Sequence, residues 1–273
     1  MKTTEERDET WTKLGRVSQP DPVIYLDTVS ATQFARDYKR RTFELLNPRP
    51  GARFLDVGCG TGEDVIELAR LVGKDGKVIG VDKNPAMIAQ GIERSRPLNL
   101  PVAFEVGDSH QLHFPDASFD GTRSDRAVQH MENPEKVLKE MARVTVRGGR
   151  VVISEPDWET LTIDTSQRAT MRRIIEFISD RALRHGWIGR QLPALFRRAG
   201  LEAVEVAGDT MVIRNFDLAD KIWGLTRHSA RAVETEFISA AQRESWLTEL
   251  KQADAAGLFF GAIVGFVTSG RRA

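Results

Sequence analysis

Phe54-Leu55-Asp56-Val57-Gly58-Cys59-Gly60-Thr61-Gly62-Glu63-Asp64 is the stretch on which the reading of this chain turns. An apolar run ends in three glycines spaced two apart. Val65, Ile66, Leu68, Ala69, Leu71 and Val72 then recur at helical spacing. The order is strand, glycine turn, helix. Glycine lets the backbone take positive φ and lets a ligand lie against it with no Cβ in the way. The helix start behind the turn offers unpaired N–H groups. The turn is therefore read as a ligand-binding turn of an α/β sheet.

The spacing is G-x-G-x-G, with Glu63 where a dinucleotide fingerprint would carry its third glycine. Asp56, two residues before the first glycine, would repel a pyrophosphate but tolerate a cationic or zwitterionic ligand. One strand later, 77–82 ends in Asp82, twenty residues past Gly62. A carboxylate at that strand tip is placed to accept hydrogen bonds from both hydroxyls of a ribose. The acid-x-G-x-G-x-G motif with its second acid resembles the class I S-adenosylmethionine-dependent methyltransferases, in particular the small-molecule group that includes the ubiquinone and menaquinone C-methyltransferases. Further stretches match: Gly107-Asp108-Ser109 after the third strand, Phe114-Pro115-Asp116-Ala117-Ser118-Phe119-Asp120 leading into the fourth, and Gly148-Gly149-Arg150-Val151-Val152-Ile153 into the fifth. The resemblance runs continuously over residues 50–155.

The resemblance implies a Rossmann-like, seven-stranded, mostly parallel sheet with helices on both faces and a helical cap. Its implied cofactor is S-adenosyl-L-methionine, with no metal. Asp56, Gly58, Gly60, Gly62 and Asp82 would hold it, with Asp108 and Ser109 at the adenine. Tyr25, Gln33 and Arg41 would reach the methionine end, and Lys83, Met87 and Arg126 complete the set. Ser109 can equally serve as a cap alone.

Composition narrows the class. A chain of 273 residues suffices for one large α/β domain or a core with a modest cap. Lys+Arg and Asp+Glu are both 39, so no basic excess points to nucleic acid, and an RNA or protein acceptor is disfavoured. A single cysteine, Cys59, excludes a disulfide framework and makes a cytoplasmic setting the default. Inside the glycine turn its expected role is packing. Residues 1–8 lack an apolar core and do not read as a signal peptide. The longest apolar run, 258–267, is too short to span a bilayer. No membrane or nucleic-acid partner is expected, and a homodimer is allowed.

Along the chain, residues 1–22 read as a loose tail and 23–50 as an N-terminal helical lid over the cofactor, with a helix over 32–46. Strand and helix patterns alternate over 51–155, the expected cofactor-binding core, which implies a parallel sheet with right-handed crossovers. Asn84-Pro85 and Asn133-Pro134 read as N-cap plus first helical residue, for helices over 86–95 and 135–144. Strand four is poor in propensity, because Gly121-Thr122-Arg123-Ser124-Asp125 stands where the family has an aliphatic run, so either tertiary context overrides propensity there or the strand is short. Strand five is expected over 151–154, with 155–158 leaving the sheet. Residues 156–273 should supply the rest of the sheet and a helical substrate cap. Helices are predicted over 166–184, 191–199, 217–228 and 239–256, and strands over 201–213 and 258–268.

His130, after strand four, lies where the family presents the transferred methyl group and is the candidate base. The competing role is packing at the mouth of the acceptor site. Glu155, Asp157, His185 and His228 are further candidates. Trp158, Trp187, Trp223 and Trp246 all follow residue 155, which leans toward an apolar or aromatic acceptor. The expected function is methyl transfer to O, C or N of a small organic acceptor. Two alternatives are a cyclase or other non-methylating enzyme on the same fold and cofactor, and a ligand-binding module without chemistry.

Overall fold

The computed structural model describes residues 22–273. The tail expected over residues 1–22 therefore lies, except for Pro22, outside the described residues. Helices α1 Pro22–Ser30 and α2 Gln33–Leu46 lead into β1 Arg53–Val57, α3 Glu63–Val72, β2 Lys77–Asp82, α4 Pro85–Ser95 and β3 Val102–Val106. Then come β4 Phe119–Asp125, α5 Pro134–Val144 and β5 Thr145–Ile163. The chain continues through α6 Arg168–Phe177, α7 Ile188–Arg198 and β6 Leu201–Ile213. It ends with α8 Phe216–Trp223, α9 Leu225–Glu234, α10 Ala240–Ala255 and β7 Gly261–Arg272.

The seven strands lie in the order β3-β2-β1-β4-β5-β7-β6. β1 pairs in parallel with both β2 and β4, β2 with β3, and β4 with β5. From β1 the chain works outward to β3, then returns to the other side of β1 for β4. The strand order reverses there, and open α/β sheets bind ligands beyond the carboxyl ends of strands at such a point.

Local signals account for much of this framework. The Asn84 side chain accepts from Ala86 N at 2.9 Å, and the Asn133 side chain from Lys136 N at 3.0 Å. Each cap precedes a proline at the first helical position, whose missing N–H is no loss there. α5 buries Val137, Leu138, Met141 and Val144 against Leu55, Val57, Val151 and Ile153 of the sheet. Fully burying such a side chain is worth about 1.5–3 kcal/mol.

Three elements depart from the sequence reading, and β4 takes the first of the two alternatives left open for it, tertiary context overriding propensity. β4 is a full strand of seven residues, with Gly121, Thr122, Arg123 and Ser124 all buried. Its polar side chains have partners: Thr122 Oγ1 lies 3.1 Å from Thr145 Oγ1, and Ser124 Oγ donates to Val57 O at 2.7 Å. β5 does not leave the sheet at 155–158. It continues to Ile163, because Trp158, Leu161 and Ile163 each turn an apolar side chain inward and Val264 N donates to Thr160 Oγ1 at 2.9 Å. Before residue 150 it carries a bulge, with Thr145 opposite Phe119 and Arg150 opposite Gly121. The helix expected over 217–228 is two helices, since Gly224 at φ 61° stops α8 and starts α9. The last strand is shifted later, to Gly261–Arg272, where the Arg272 guanidinium donates to Arg143 O at 2.7 Å.

The chain divides into two compact units. A sheet unit comprises residues 33–155, 188–208 and 266–273, and holds α2 to α5, β1 to β4 and α7. A helical unit comprises, among the described residues, 22–32, 156–187 and 209–265, and holds α1, α6 and α8 to α10. No helix among the described residues is long and apolar enough to cross a membrane.

Candidate functional site

The glycine turn leaves β1 at Val57 and is tied to β2 by two hydrogen bonds, Gly58 N and Cys59 N donating to Val81 O at 2.7 and 3.1 Å. Gly58 and Gly62 take φ of 75° and 79°, the left-handed region that a Cβ disfavours. Space gives the same answer. A Cβ on Gly58 would lie 2.5 Å from Ala127 Cβ, and one on Gly62 2.3 Å from the Phe104 ring. Gly60 N donates to Asp82 Oδ2 at 3.0 Å, and Asn84 N to Asp82 Oδ1 at 2.9 Å. Two backbone groups thus fix the Asp82 carboxylate while each oxygen keeps a further lone pair. Burial, followed by Asp56 and Asp82, pushes the Cys59 thiol up, which suits a packing role. Lys83 is exposed at the end of β2, and Met87 is buried on α4.

Asp56 is 2% exposed and faces an ion cluster within the sheet unit. The Arg123 guanidinium, wholly buried on β4, lies 3.3 Å from Asp56 and 2.7 Å from Asp64 at the start of α3. It also stands over the Phe43 ring of α2, 5.2 Å from the centroid. Lys39 Nζ of α2 reaches Asp64 at 3.0 Å and Glu63 at 3.1 Å. Tyr38 donates its hydroxyl to Asp125 at 3.0 Å. Burial raises the Asp56 carboxyl above its ordinary range, partly offset by Arg123. Burial acts the same way on Asp64, but Arg123 and Lys39 outweigh it and hold Asp64 well below that range. Sequence reading missed Tyr38, Lys39, Asp64, Arg123 and Asp125. Their signal was the polar run in strand four itself, because a strand inside a parallel sheet is normally aliphatic.

After β3, Gly107 N donates to Asp82 O at 3.1 Å, which ties the next strand tip to the site. Asp108 Oδ1 accepts from His110 N at 2.9 Å and lies 2.7 Å from His110 Nδ1. His110 Nε2 accepts from Asn133 N at 3.1 Å, so the ring proton sits on Nδ1, toward Asp108. The backbone bond from His110 heads the contacts that lower the Asp108 carboxyl. Ser109 Oγ lies 3.5 Å from Met131 Sδ.

His130 ends a short 3₁₀ turn, Val128–His130, and is half-buried. Glu155, wholly buried on β5, accepts from Val128 N at 2.6 Å and Gln129 N at 3.3 Å, holding the start of that turn. Burial, then the Asp125 charge, pushes its carboxyl up to about 8. Arg126 follows β4 at φ 52°, with its Nε 3.7 Å from Asp125.

The structure therefore gathers Asp56, Gly58, Gly60, Gly62 and Asp82 at adjacent strand ends, with Asp108 and Ser109 after the next strand. The methionine-end candidates fall on two helices, α1 and α2. Arg41 is half-buried on α2. Gln33 is exposed, its amide engaged by Asp37 at 3.0 Å and Arg36 at 2.9 Å of its own helix. Tyr25 belongs to the helical unit, as do Asp157, His185 and His228.

A family model described as a methyltransferase domain matches residues 48–200. An uncharacterized 37.1 kDa protein in transposon TN4556 of Streptomyces fradiae is 41% identical over 257 residues, which is 93% of this chain and 73% of that one. The demethylmenaquinone methyltransferase of Bacillus cereus (strain ATCC 10987 / NRS 248) is 28% identical over 217 residues, covering 74% of this chain and 91% of its own. Among solved structures, the YcgJ protein from Bacillus subtilis matches with a TM-score of 0.63 at 18% identity, covering 87% of this chain and 99% of its own. At that identity the likeness speaks to the fold.

Proposed function

The chain belongs to the methyltransferase domain family and is a methyl-transferring enzyme, and from that premise we propose that its donor is S-adenosyl-L-methionine and its acceptor a small organic molecule with an apolar or aromatic body. The observation that carries the donor is the turn at Gly58–Gly62, where a Cβ would collide, beside an Asp82 carboxylate fixed by Gly60 N and Asn84 N. A ribose fits the open lone pairs of Asp82. An uncharged or cationic ligand fits a turn that stands over carboxylates. Asp108 and Ser109 then hold the adenine edge.

S-adenosylmethionine would supply a sulfonium methyl group whose carbon is open to in-line attack, the new bond to the acceptor forming as the methyl–sulfur bond breaks and S-adenosylhomocysteine leaves. The chain's own task is alignment, which can account for about 7–11 kcal/mol of a barrier. His130, on the turn held by Glu155, is the proposed base for an acceptor that must lose a proton.

Two measurements test the reading. Calorimetry should give S-adenosylhomocysteine a micromolar Kd, about −8 kcal/mol, and NAD a far weaker one. Incubation of small acceptors with methyl-labelled donor should put the label in a product. NAD as the tighter ligand would end the donor assignment.

A further inference from the structure

Asp108 meets its neighbours in the sheet unit through one oxygen only. Oδ1 accepts from His110 N at 2.9 Å and lies 2.7 Å from His110 Nδ1, while Oδ2 has no hydrogen-bond partner among the described residues. The Asp108 side chain is 67% exposed, so the open oxygen is the one a ligand can reach. His110 is the opposite case, with a side chain only 19% exposed and both ring nitrogens engaged. Asn133 N donates to Nε2 at 3.1 Å, and the Nδ1–H points to Asp108. A neutral imidazole has one donor and one acceptor, and this arrangement uses each of them once. The ring keeps no atom for a ligand and acts through Asp108.

The ring is braced from the far side. Asn133 is the cap of α5, and its own side chain accepts from Lys136 N at 3.0 Å. Ser109 Oγ donates to Met131 Sδ at 3.5 Å, so residues 109 and 110 are both fastened to the segment 131–133. The backbone bond from His110 N to Asp108 Oδ1 would form with any non-proline residue at position 110. The ring adds what the backbone cannot, a second N–H on the same oxygen. The last torsion of an aspartate is broad and roughly two-fold, and two donors on one oxygen narrow it to a single setting. Oδ2 is then held in one direction. The backbone bond from His110 comes first among the influences that lower the Asp108 carboxyl, and the ring adds to it, which keeps the group an ionised acceptor.

We propose that His110 is a positioning residue for the nucleobase: by holding Asp108 Oδ1 it presents Oδ2 as one fixed acceptor for the amino group of adenine, and so helps the chain select an aminopurine. A purine with a carbonyl oxygen at that place would set acceptor against acceptor. Asp108, Ser109, His110, Met131 and Asn133 all belong to the sheet unit, so the device is complete within it. The proposal rests on the S-adenosylmethionine reading and adds the residue that enforces adenine.

The test is calorimetry on the full chain with two ligands, S-adenosylhomocysteine and its 6-deamino analogue, which carries hydrogen in place of the adenine amino group. Wild type should prefer the first by about tenfold or more, the scale of a hydrogen bond to a charged group. His110→Phe fills the space without either nitrogen and should cut that preference severalfold, with the analogue bound as in wild type. His110→Asn puts an amide N–H where Nδ1 stands and should keep most of the preference. His110→Gln reaches the Asn133 side alone and should behave like His110→Phe. Asp108→Ala should lose the preference, and adding His110→Phe to it should change nothing further. Equal affinity of wild type for the two ligands overturns the proposal, because Asp108 then does not hold the amino group. A His110→Phe variant that weakens both ligands alike overturns it too, as the mark of a loop that has only lost support. So does one that leaves both unchanged, and so does rescue by Gln and not by Asn. A wild type that fails to bind S-adenosylhomocysteine at all strikes the methyl-donor assignment, and this proposal with it, so the two failures are distinct.

Discussion

Arg123 carries a guanidinium that touches no solvent. Its guanidinium offsets Asp56 and Asp64 together, and both stand next to the glycine turn. Removing one partner of a buried ionic group leaves its counter-charges uncompensated, which typically costs about 3–5 kcal/mol. Arg123→Met should therefore lower unfolding stability in urea by about that much, although methionine fits the strand. A loss under 1 kcal/mol would mean that solvent reaches the two aspartates. His130 poses a kinetic question instead. As a base near the ordinary histidine pKa of about 6.5, it should make the rate rise with pH, and His130→Asn should cut kcat about 10²–10⁴-fold with donor affinity unchanged. A mere rise in the acceptor's KM would leave it as a pocket wall.

At the scale of elements, Glu155 joins β5 to the turn Val128–His130 through two backbone N–H groups. Its folded pKa of about 8 stands above the ordinary 4.5. A raised acid favours folding below the unfolded pKa, and that contribution is lost as pH rises from about 4.5 through 8. Glu155→Gln keeps an accepting oxygen and cannot ionise, so its melting temperature should gain on wild type steadily between pH 5 and 8. A pH-independent difference would show that Glu155 titrates normally. In α5, Met141 is fully buried against the sheet, and Met141→Ala should cost about 2–5 kcal/mol by denaturant titration. The legibility of these elements in the sequence varied for physical reasons. The helices begun by Asn84-Pro85 and Asn133-Pro134, and the turn after Val57, announce themselves because caps and glycines act within a few residues. For β4 the sequence left a tertiary override and a short strand both open, because Arg123 is matched by Asp56 and Asp64, over sixty positions away in the chain for the first of them. β5 was cut short because Glu155 and Pro156 look like an exit, while the inward pattern of Trp158, Leu161 and Ile163 depends on what lies beneath. The turn residues of the candidate site were readable, but the ion cluster behind them was not.

Across the whole molecule, ligand binding and stability are linked. A ligand that binds only the folded chain should stabilise it by about 2.7 kcal/mol at a hundred times Kd. S-adenosylhomocysteine should thus raise the melting temperature of wild type. Asp82→Ala should lose most of that rise while melting near wild type in the absence of ligand, because the carboxylate's protein partners are two backbone N–H groups at the surface of the turn. An undiminished rise in Asp82→Ala would place the ribose elsewhere. The division into units has a consequence of another kind. The chain passes from one unit to the other at 32/33, 155/156, 187/188, 208/209 and 265/266. Neither unit is a continuous stretch of the gene, so no single crossover can trade one helical unit for another. A double exchange that replaces residues 209–265 brings in the largest segment of the helical unit but leaves 22–32 and 156–187 behind. Change that keeps the three segments matched to one another must instead accumulate codon by codon.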